Sequence, residues 1–218
     1  MFNVAEKFVS INGEGQKAGQ LAVFIRFAGC NLGCSYCDTK WANDFDLKGE
    51  NLTAEQILEY VLDTGVHNVT LTGGEPLLRP EIEELISMLV KAGLWVEIET
   101  NGSVPLKPLE KDSRPHFTMD YKTPSSNMES EMLVSNFDLL EPDDVVKFVC
   151  GSSEDLNCTY DIIKKYNLTE KCKVYLSCVF GNLQPSAVVD FMKEKNLNGV
   201  NFQLQMHKFI WNPDKRGV

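Results

Sequence analysis

From Leu21 to Leu204 the chain alternates short apolar segments with segments whose apolar residues recur at helical spacing, and no other feature constrains the fold as tightly. Strands are expected at Leu21 to Phe27, Asn68 to Leu71, Leu94 to Glu99, Phe117 to Asp120, Val145 to Cys150, Lys173 to Leu176 and Val200 to Leu204. Between the first two, Thr53-Ala54-Glu55-Gln56 has the form of a capping box, opening a helix with Ile57, Tyr60 and Val61 on one face. Pro80 suits the first turn of a helix through Ile82, Leu85, Ile86 and Leu89, which Gly93 ends. Further helices are expected over Glu154 to Tyr166 and Pro185 to Lys195. Such repetition implies a parallel sheet with right-handed crossovers. A closed eightfold barrel takes about 250 residues, more than the 218 present. The expectation is therefore an α/β fold, an incomplete TIM-like barrel of about six parallel strands. One domain would span residues 1–218, with an N-terminal segment and a C-terminal tail attached. Pro105 to Arg114 and Thr123 to Asp144 are the irregular stretches, lids or plain surface loops.

Three turns each follow an expected strand: the loop holding Cys30, Cys34 and Cys37, then Thr72-Gly73-Gly74-Glu75-Pro76, then Glu99-Thr100-Asn101-Gly102. In parallel α/β architectures, sites gather at the carboxyl ends of strands, so these turns would share one rim.

The cysteines are spaced C-x3-C-x2-C. A closed structural zinc site wants four protein ligands, and a ferredoxin-type cluster takes one thiolate per iron. Three thiolates with no neighbouring fourth point to a cubane with one iron left open. On spacing alone, a zinc site completed by a distant His or Cys stands beside that reading. The chain has seven cysteines, an odd number with three of them bunched, which in a reducing compartment speaks for metal ligation rather than disulfides. The others lie in or beside apolar segments and read as inert buried thiols. A formal net charge of −10 argues against a nucleic-acid binder. The one basic concentration, Lys208, Lys215 and Arg216, reads as a solvated tail. No apolar run is long enough to span a bilayer, and Met-Phe-Asn-Val-Ala-Glu-Lys lacks the plan of a signal peptide, so a cytoplasmic location is expected.

Tyr36 within the triplet, Asp38-Thr39 after it and Gly73-Gly74-Glu75-Pro76 further on together resemble the radical S-adenosylmethionine (SAM) superfamily. The resemblance implies a 4Fe-4S cluster on Cys30, Cys34 and Cys37, with SAM chelating the fourth iron. Reductive cleavage of SAM would then give a 5′-deoxyadenosyl radical able to take an unactivated hydrogen. By the same resemblance Tyr36, Cys37 and Asp38 contact SAM, and Gly74 lets the backbone approach its methionine end. Asp120, Tyr121, Lys122 and Ser177, Cys178, Val179, Phe180, at two later strand ends, align with ribose and carboxylate contacts.

Phe8 to Gly15 and Phe24 to Cys30, with Cys37-Asp38-Thr39, Thr72 to Pro76, Glu99 to Gly102 and the tail Gln205 to Val218, resemble the 7-carboxy-7-deazaguanine synthase family. The match touches both ends of the chain. It implies ring contraction of 6-carboxy-5,6,7,8-tetrahydropterin to 7-carboxy-7-deazaguanine with loss of ammonia, in the biosynthesis of queuosine or another 7-deazapurine. Ile11, Asn12, Gly13 and Glu14 would line the pterin site, where a carboxylate meets guanine-like N–H donors. Glu14 read alone is an ordinary turn acid. Arg26 read alone suits a structural ion pair; the resemblance implies capture of the substrate carboxylate. Thr72 would add a hydroxyl, His207 would touch substrate or merely pack, and the Val218 carboxylate would reach the pterin. Thr39, otherwise a turn residue, would hold a magnesium ion together with substrate oxygens.

Two departures stand out: Asn12 replaces the Gln of many relatives, and Asp120-Tyr121-Lys122 replaces Ser-Pro-Lys. A homodimer and a flavodoxin-type electron donor are further implications. The rivals are a glycyl-radical-enzyme activase, which usually carries Gly-Pro-Gly-Ile-Arg where this chain has Gly13-Glu14-Gly15, and a non-catalytic zinc or iron–sulfur protein.

Overall fold

The structure, a computed structural model, describes residues 1–218. Nine strands form one sheet: β1 (Phe2–Ile11), β2 (Leu21–Phe27), β3 (Glu50–Leu52), β4 (Asn68–Gly73), β5 (Trp95–Thr100), β6 (His116–Tyr121), β7 (Val145–Cys150), β8 (Lys173–Cys178) and β9 (Val200–Phe202). Their order is β3-β1-β2-β4-β5-β6-β7-β8-β9, and β3 and β9 do not pair, so the barrel stays open. From β2 onward every neighbouring pair is parallel, the seven expected strands in order, with β9 the shortest.

Two strands were outside the expectation. β1 runs antiparallel to β2, with a register shift between Val4 and Glu6, and β3 pairs with β1's first residues. After its buried Phe2 and Val4, β1 carries Glu6 and Lys7, which dilutes the apolar signal.

The helices are α1 (Ala54–Asp63), α2 (Ile82–Lys91), α3 (Ser153–Tyr166), α4 (Leu168–Lys171), α5 (Pro185–Glu194) and α6 (His207–Ile210). The capping box at Thr53 is present, with Gln56 N–H bonded to the Thr53 hydroxyl and the Thr53 N–H to Gln56. Ser152 and Asp155 make a second box at α3. Pro80 is not in the first turn of α2: Glu81 intervenes with φ 65°, a left-handed residue that interrupts the helix before Ile82. Gly93, with φ +82°, follows the end of α2 as expected. The crossover from β5 to β6 holds one 3₁₀ turn and that from β6 to β7 three, with no α-helix in either.

Alternate residues of each parallel strand serve different layers. Val69 and Leu71 of β4, Val96 and Ile98 of β5, Met119 and Tyr121 of β6, Phe148 of β7 and Leu176 of β8 join one buried cluster with Ile57, Leu85, Ile86, Leu89 and Ile163 of the helices. The intervening positions line the concave face, the lumen. There β4 presents Thr70 and Thr72, β5 Glu97 and Glu99, β6 Thr118 and Asp120, β7 Lys147 and β8 Ser177.

The connection between β1 and β2 crosses that lumen. Asn12 accepts from the Thr70 hydroxyl at 3.0 Å, Glu14 lies 3.5 Å from Lys147, and a Cβ on Gly15 would stand 2.6 Å from Glu97. Residues after β9 hold this loop from the far edge. Gln203 bonds both the N–H and the C=O of Gly15, at 2.8 and 3.0 Å, and Met206 N–H bonds the Gly13 carbonyl at 3.1 Å.

Candidate active site

The cysteine loop springs from the end of β2 and rests on the glycine turn after β4. Gly74 N–H bonds the Phe27 carbonyl and Glu75 N–H the Gly29 carbonyl, both at 3.0 Å. Gly73 adopts φ +143°, and a Cβ on Gly74 would lie 2.1 Å from the Gly29 oxygen. Glycine here lets two backbones touch, a packing demand that the sequence comparison with ligand-approaching turns did not anticipate. Glu75, fully buried, ties this turn to the third one. It accepts from Leu77 N–H at 3.0 Å, the Thr100 hydroxyl at 2.9 Å and Asn101 N–H at 2.7 Å. Burial pushes its carboxyl up to about 6 against those three donors. The three turns do share one rim.

Each end of the cysteine triplet has its own polar neighbours. Leu32 N–H and the Asn101 side-chain amide approach Cys30 Sγ at 3.4 and 3.6 Å, and Asn43 and the Thr39 hydroxyl approach Cys37 Sγ at 3.7 and 3.6 Å. Burial raises the Cys30 and Cys34 thiols, while Asn101 beside the first and Lys122 near the second pull the other way. Such donors suit thiolates that ligate a cluster. No three His, Cys, Asp or Glu side chains converge on a single ion position.

Tyr36 bonds the Val149 carbonyl through its hydroxyl at 3.3 Å, and burial pushes that hydroxyl up to about 12. Lys122, behind it, pairs with Asp120 at 2.8 Å. Asp38 faces the tail: burial works against its charge, yet the Lys208 ammonium at 2.9 Å holds its carboxyl below the usual range. Ser177 keeps a buried hydroxyl with no protein partner. Two of the expected SAM residues face elsewhere. Tyr121 packs between Phe137 and Phe148, and Cys178 joins the same outer cluster, because odd and even strand positions point to opposite layers. Only their backbones border the lumen. Val179 is buried, and Phe180 is exposed, edge-on to Phe209 at 6.0 Å.

On the other side of the lumen, Asn12 Nδ2 and Glu14 Oε1 are buried without partners. The second Glu14 oxygen accepts from Gln205 at 3.2 Å. Arg26 gives its Nε to Glu6 at 2.7 Å in an ion pair, and its two terminal nitrogens make no hydrogen bond. Thr72 donates its hydroxyl to Glu99 at 2.8 Å. His207 stands against Gly13, where a Cβ would come within 2.4 Å of its Nδ1, and burial lowers its pKa. Ile11 ends β1, and Val218 is half-buried at the end of the tail, its carboxylate in no ion pair.

Sequence reasoning missed Glu97, Thr118 and Lys147, and had Glu99 only as the first residue of a rim turn. Burial and the like charge of Glu99 push Glu97 up to about 8, and Thr118 donates to it at 2.5 Å. A signal existed: parallel strands buried on both faces are near-continuously apolar, and Glu97-x-Glu99 and Lys147 break that rule.

Residues 24–132 match the family model described as the Radical SAM superfamily. Over its full length the chain is 58% identical to a 7-carboxy-7-deazaguanine synthase of Clostridium acetobutylicum, spanning 99% of that protein. It is 38% identical to the synthase of Chlorobaculum tepidum, covering 99% of this chain and 97% of that one. The crystal structure of QueE from Escherichia coli superposes with a TM-score of 0.74 at 20% identity, covering 94% of each chain, and so shares the fold. With a cysteine loop seated on its glycine turn and such relatives along its whole length, the chain belongs to the 7-carboxy-7-deazaguanine synthase family of the Radical SAM superfamily.

Proposed function

We propose that this chain converts 6-carboxy-5,6,7,8-tetrahydropterin to 7-carboxy-7-deazaguanine and ammonia, as a step of 7-deazapurine (queuosine) biosynthesis. The observation that carries the reading is 58% identity over the full length to a synthase of that name. The lumen supports it with unpartnered acceptors and donors where a pterin edge would need them, at Glu14 Oε1 and Asn12 Nδ2. A glycyl-radical activase reading gives way to the same full-length relatives, and a non-catalytic protein to the superfamily match.

The 4Fe-4S cluster and SAM belong with the superfamily, and the residues present fit them. Cys30, Cys34 and Cys37 offer three thiols in a loop with amide donors, and the orphaned Ser177 hydroxyl marks room for a polar ligand beside it. When bound, the pair supplies one-electron chemistry able to take hydrogen from an unreactive carbon. Tyr36, Cys37, Asp38, Gly74, the segments 120–122 and 177–180 hold SAM. Glu14 accepts from the pterin's N–H edge, with Ile11, Asn12 and Gly13 shaping the same wall. Arg26, aimed by Glu6, binds the substrate carboxylate with the nitrogens it has free. Thr72, His207 and the Val218 carboxylate complete the contacts. The Thr39 hydroxyl, held only by a 3.6 Å approach to Cys37 Sγ, is free to ligate magnesium with substrate oxygens. Half-buried against Gly13, with its pKa lowered by burial, His207 and the tail screen this side from water.

The whole chain acts as one domain, works as a homodimer in the cytoplasm and takes electrons from a flavodoxin-type donor; no helix is long and apolar enough to cross a membrane. Anaerobically reconstituted protein given SAM, reductant and the carboxy-tetrahydropterin yields the deazaguanine by mass spectrometry. SAM cleavage without that product overturns the reading.

A further inference from the structure

One buried cation in the lumen is not accounted for by either ligand site. Lys147 projects from the middle of β7, and its side chain is 8% exposed. Its ammonium lies 3.2 Å from Asp120 Oδ1 and 3.5 Å from Glu14 Oε2. Charge-assisted N–H···O contacts close at about 2.7–2.9 Å, so this ammonium is divided between two carboxylates and fully engaged by neither. Asp120 is meanwhile held through its other oxygen by Lys122, 2.8 Å away, and Lys122 neighbours Cys34 and Tyr36. Asp120 Oδ1 makes no hydrogen bond of good geometry. Glu14 has the matching arrangement, with one oxygen on Lys147 and Gln205 and the other unpartnered. An alternating row of charges thus runs Lys122, Asp120, Lys147, Glu14 from the cysteine loop to the opposite wall.

We propose that Lys147 is a positioning residue that couples the two halves of the lumen, so that occupancy beside Asp120 tightens pterin binding at Glu14. The inference rests on the proposed function. A ligand donating hydroxyl or amine hydrogens to Asp120 Oδ1 satisfies that carboxylate and releases Lys147 toward Glu14. Glu14 is then fixed through Oε2, with Oε1 presented to the pterin, and the ordering cost is met before substrate arrives. Because coupling between sites is reciprocal, bound pterin tightens SAM by the same factor. The acids around Lys147 number more than these two: Glu99 also faces the lumen, and with Asp120 and Glu14 it keeps the ammonium charged despite its burial, while Glu97 beside it holds its proton.

The test uses anaerobically reconstituted full-length protein without reductant, so that nothing turns over, and titrates the carboxy-tetrahydropterin with and without saturating SAM. Wild-type protein should bind pterin about tenfold more tightly when SAM is present. Lys147→Met should bind each ligand alone yet show the same pterin affinity in both conditions, and Lys147→Arg should restore part of the gain. Asp120→Asn guards against a misfolded Lys147→Met. Freed from Asp120, Lys147 should stay with Glu14, so this variant binds pterin tightly even without SAM, a result no merely structural role produces. A SAM-dependent gain that survives in Lys147→Met overturns the inference, as does wild-type pterin binding indifferent to SAM. Wild-type protein that binds SAM but no pterin overturns the functional reading, and the inference with it.

Discussion

The two faces of β4 to β8 are built from the same strands, one residue apart, and obey opposite rules. The outer face is apolar and complete: Leu71, Ile98, Met119, Phe148 and Leu176 are all buried against helices or loops. The inner face is polar and unfinished. Its hydroxyls and carboxylates pair across strands, Thr72 with Glu99 and Thr118 with Glu97, while Ser177 Oγ, and Asn12 Nδ2 and Glu14 Oε1 on the crossing loop, find nothing. Buried polar groups are ordinarily satisfied. A fold that fills one face and leaves gaps on the other assigns stability to the first and ligands to the second.

Several substitutions can break that division, and the largest effect is expected where the two backbones touch. Gly74→Ala puts a methyl group 2.1 Å from the Gly29 oxygen, so the cysteine loop must move. Iron content after reconstitution should collapse and activity with it, while circular dichroism keeps its α/β signature. On the outer face, Phe148→Ala should cost about 3–5 kcal/mol in chemical denaturation, with the surviving folded fraction still active. Inside, Glu14→Gln should reverse the pattern. Losing a charged hydrogen-bond acceptor of about 1.5–3 kcal/mol lowers kcat/KM roughly tenfold to a hundredfold, with little change in melting temperature.

The subtlest prediction concerns pH. Glu97, raised by burial to about 8 from an unfolded value near 4.5, keeps a proton that the unfolded chain releases. Its stabilising contribution is whole below about pH 4.5 and fades as pH rises toward 8. Wild-type melting temperature should therefore fall over that range relative to Glu97→Gln, which has no proton to lose. Parallel curves for the two proteins would show that Glu97 is ionised in the fold.

Much of the outer face could be read before any coordinates. Its strands announce themselves through apolar runs, and Thr53 and Pro185 mark helix starts by local chemistry within one turn. The cysteine loop and glycine turn were equally legible, being short motifs at strand ends. The inner face was not, because a carboxylate such as Glu97 in an apolar strand looks like an interruption until its neighbours on β6 and β7 are known. Tyr121 and Cys178 show the same limit: a motif names a segment, but only the pleat says which side chain turns inward. Pro80 failed for a local reason, since the left-handed Glu81 could not be read from a sequence that offers no glycine there. Contacts of long range were beyond reach altogether. Gln203 meets Gly15 across 188 positions, and nothing in either segment's periodicity points to the other.

That last contact also sets an order of events at synthesis. Gly13 and Gly15 are pinned by Met206 and Gln203, and Asp38 by Lys208. A nascent chain can therefore lay down its strands and present its thiols while the loop across the lumen still lacks its clasp. Only when the final stretch leaves the ribosome does that loop lock, so a polypeptide cut short after β9 should keep its sheet while Glu14 loses its Gln205 partner.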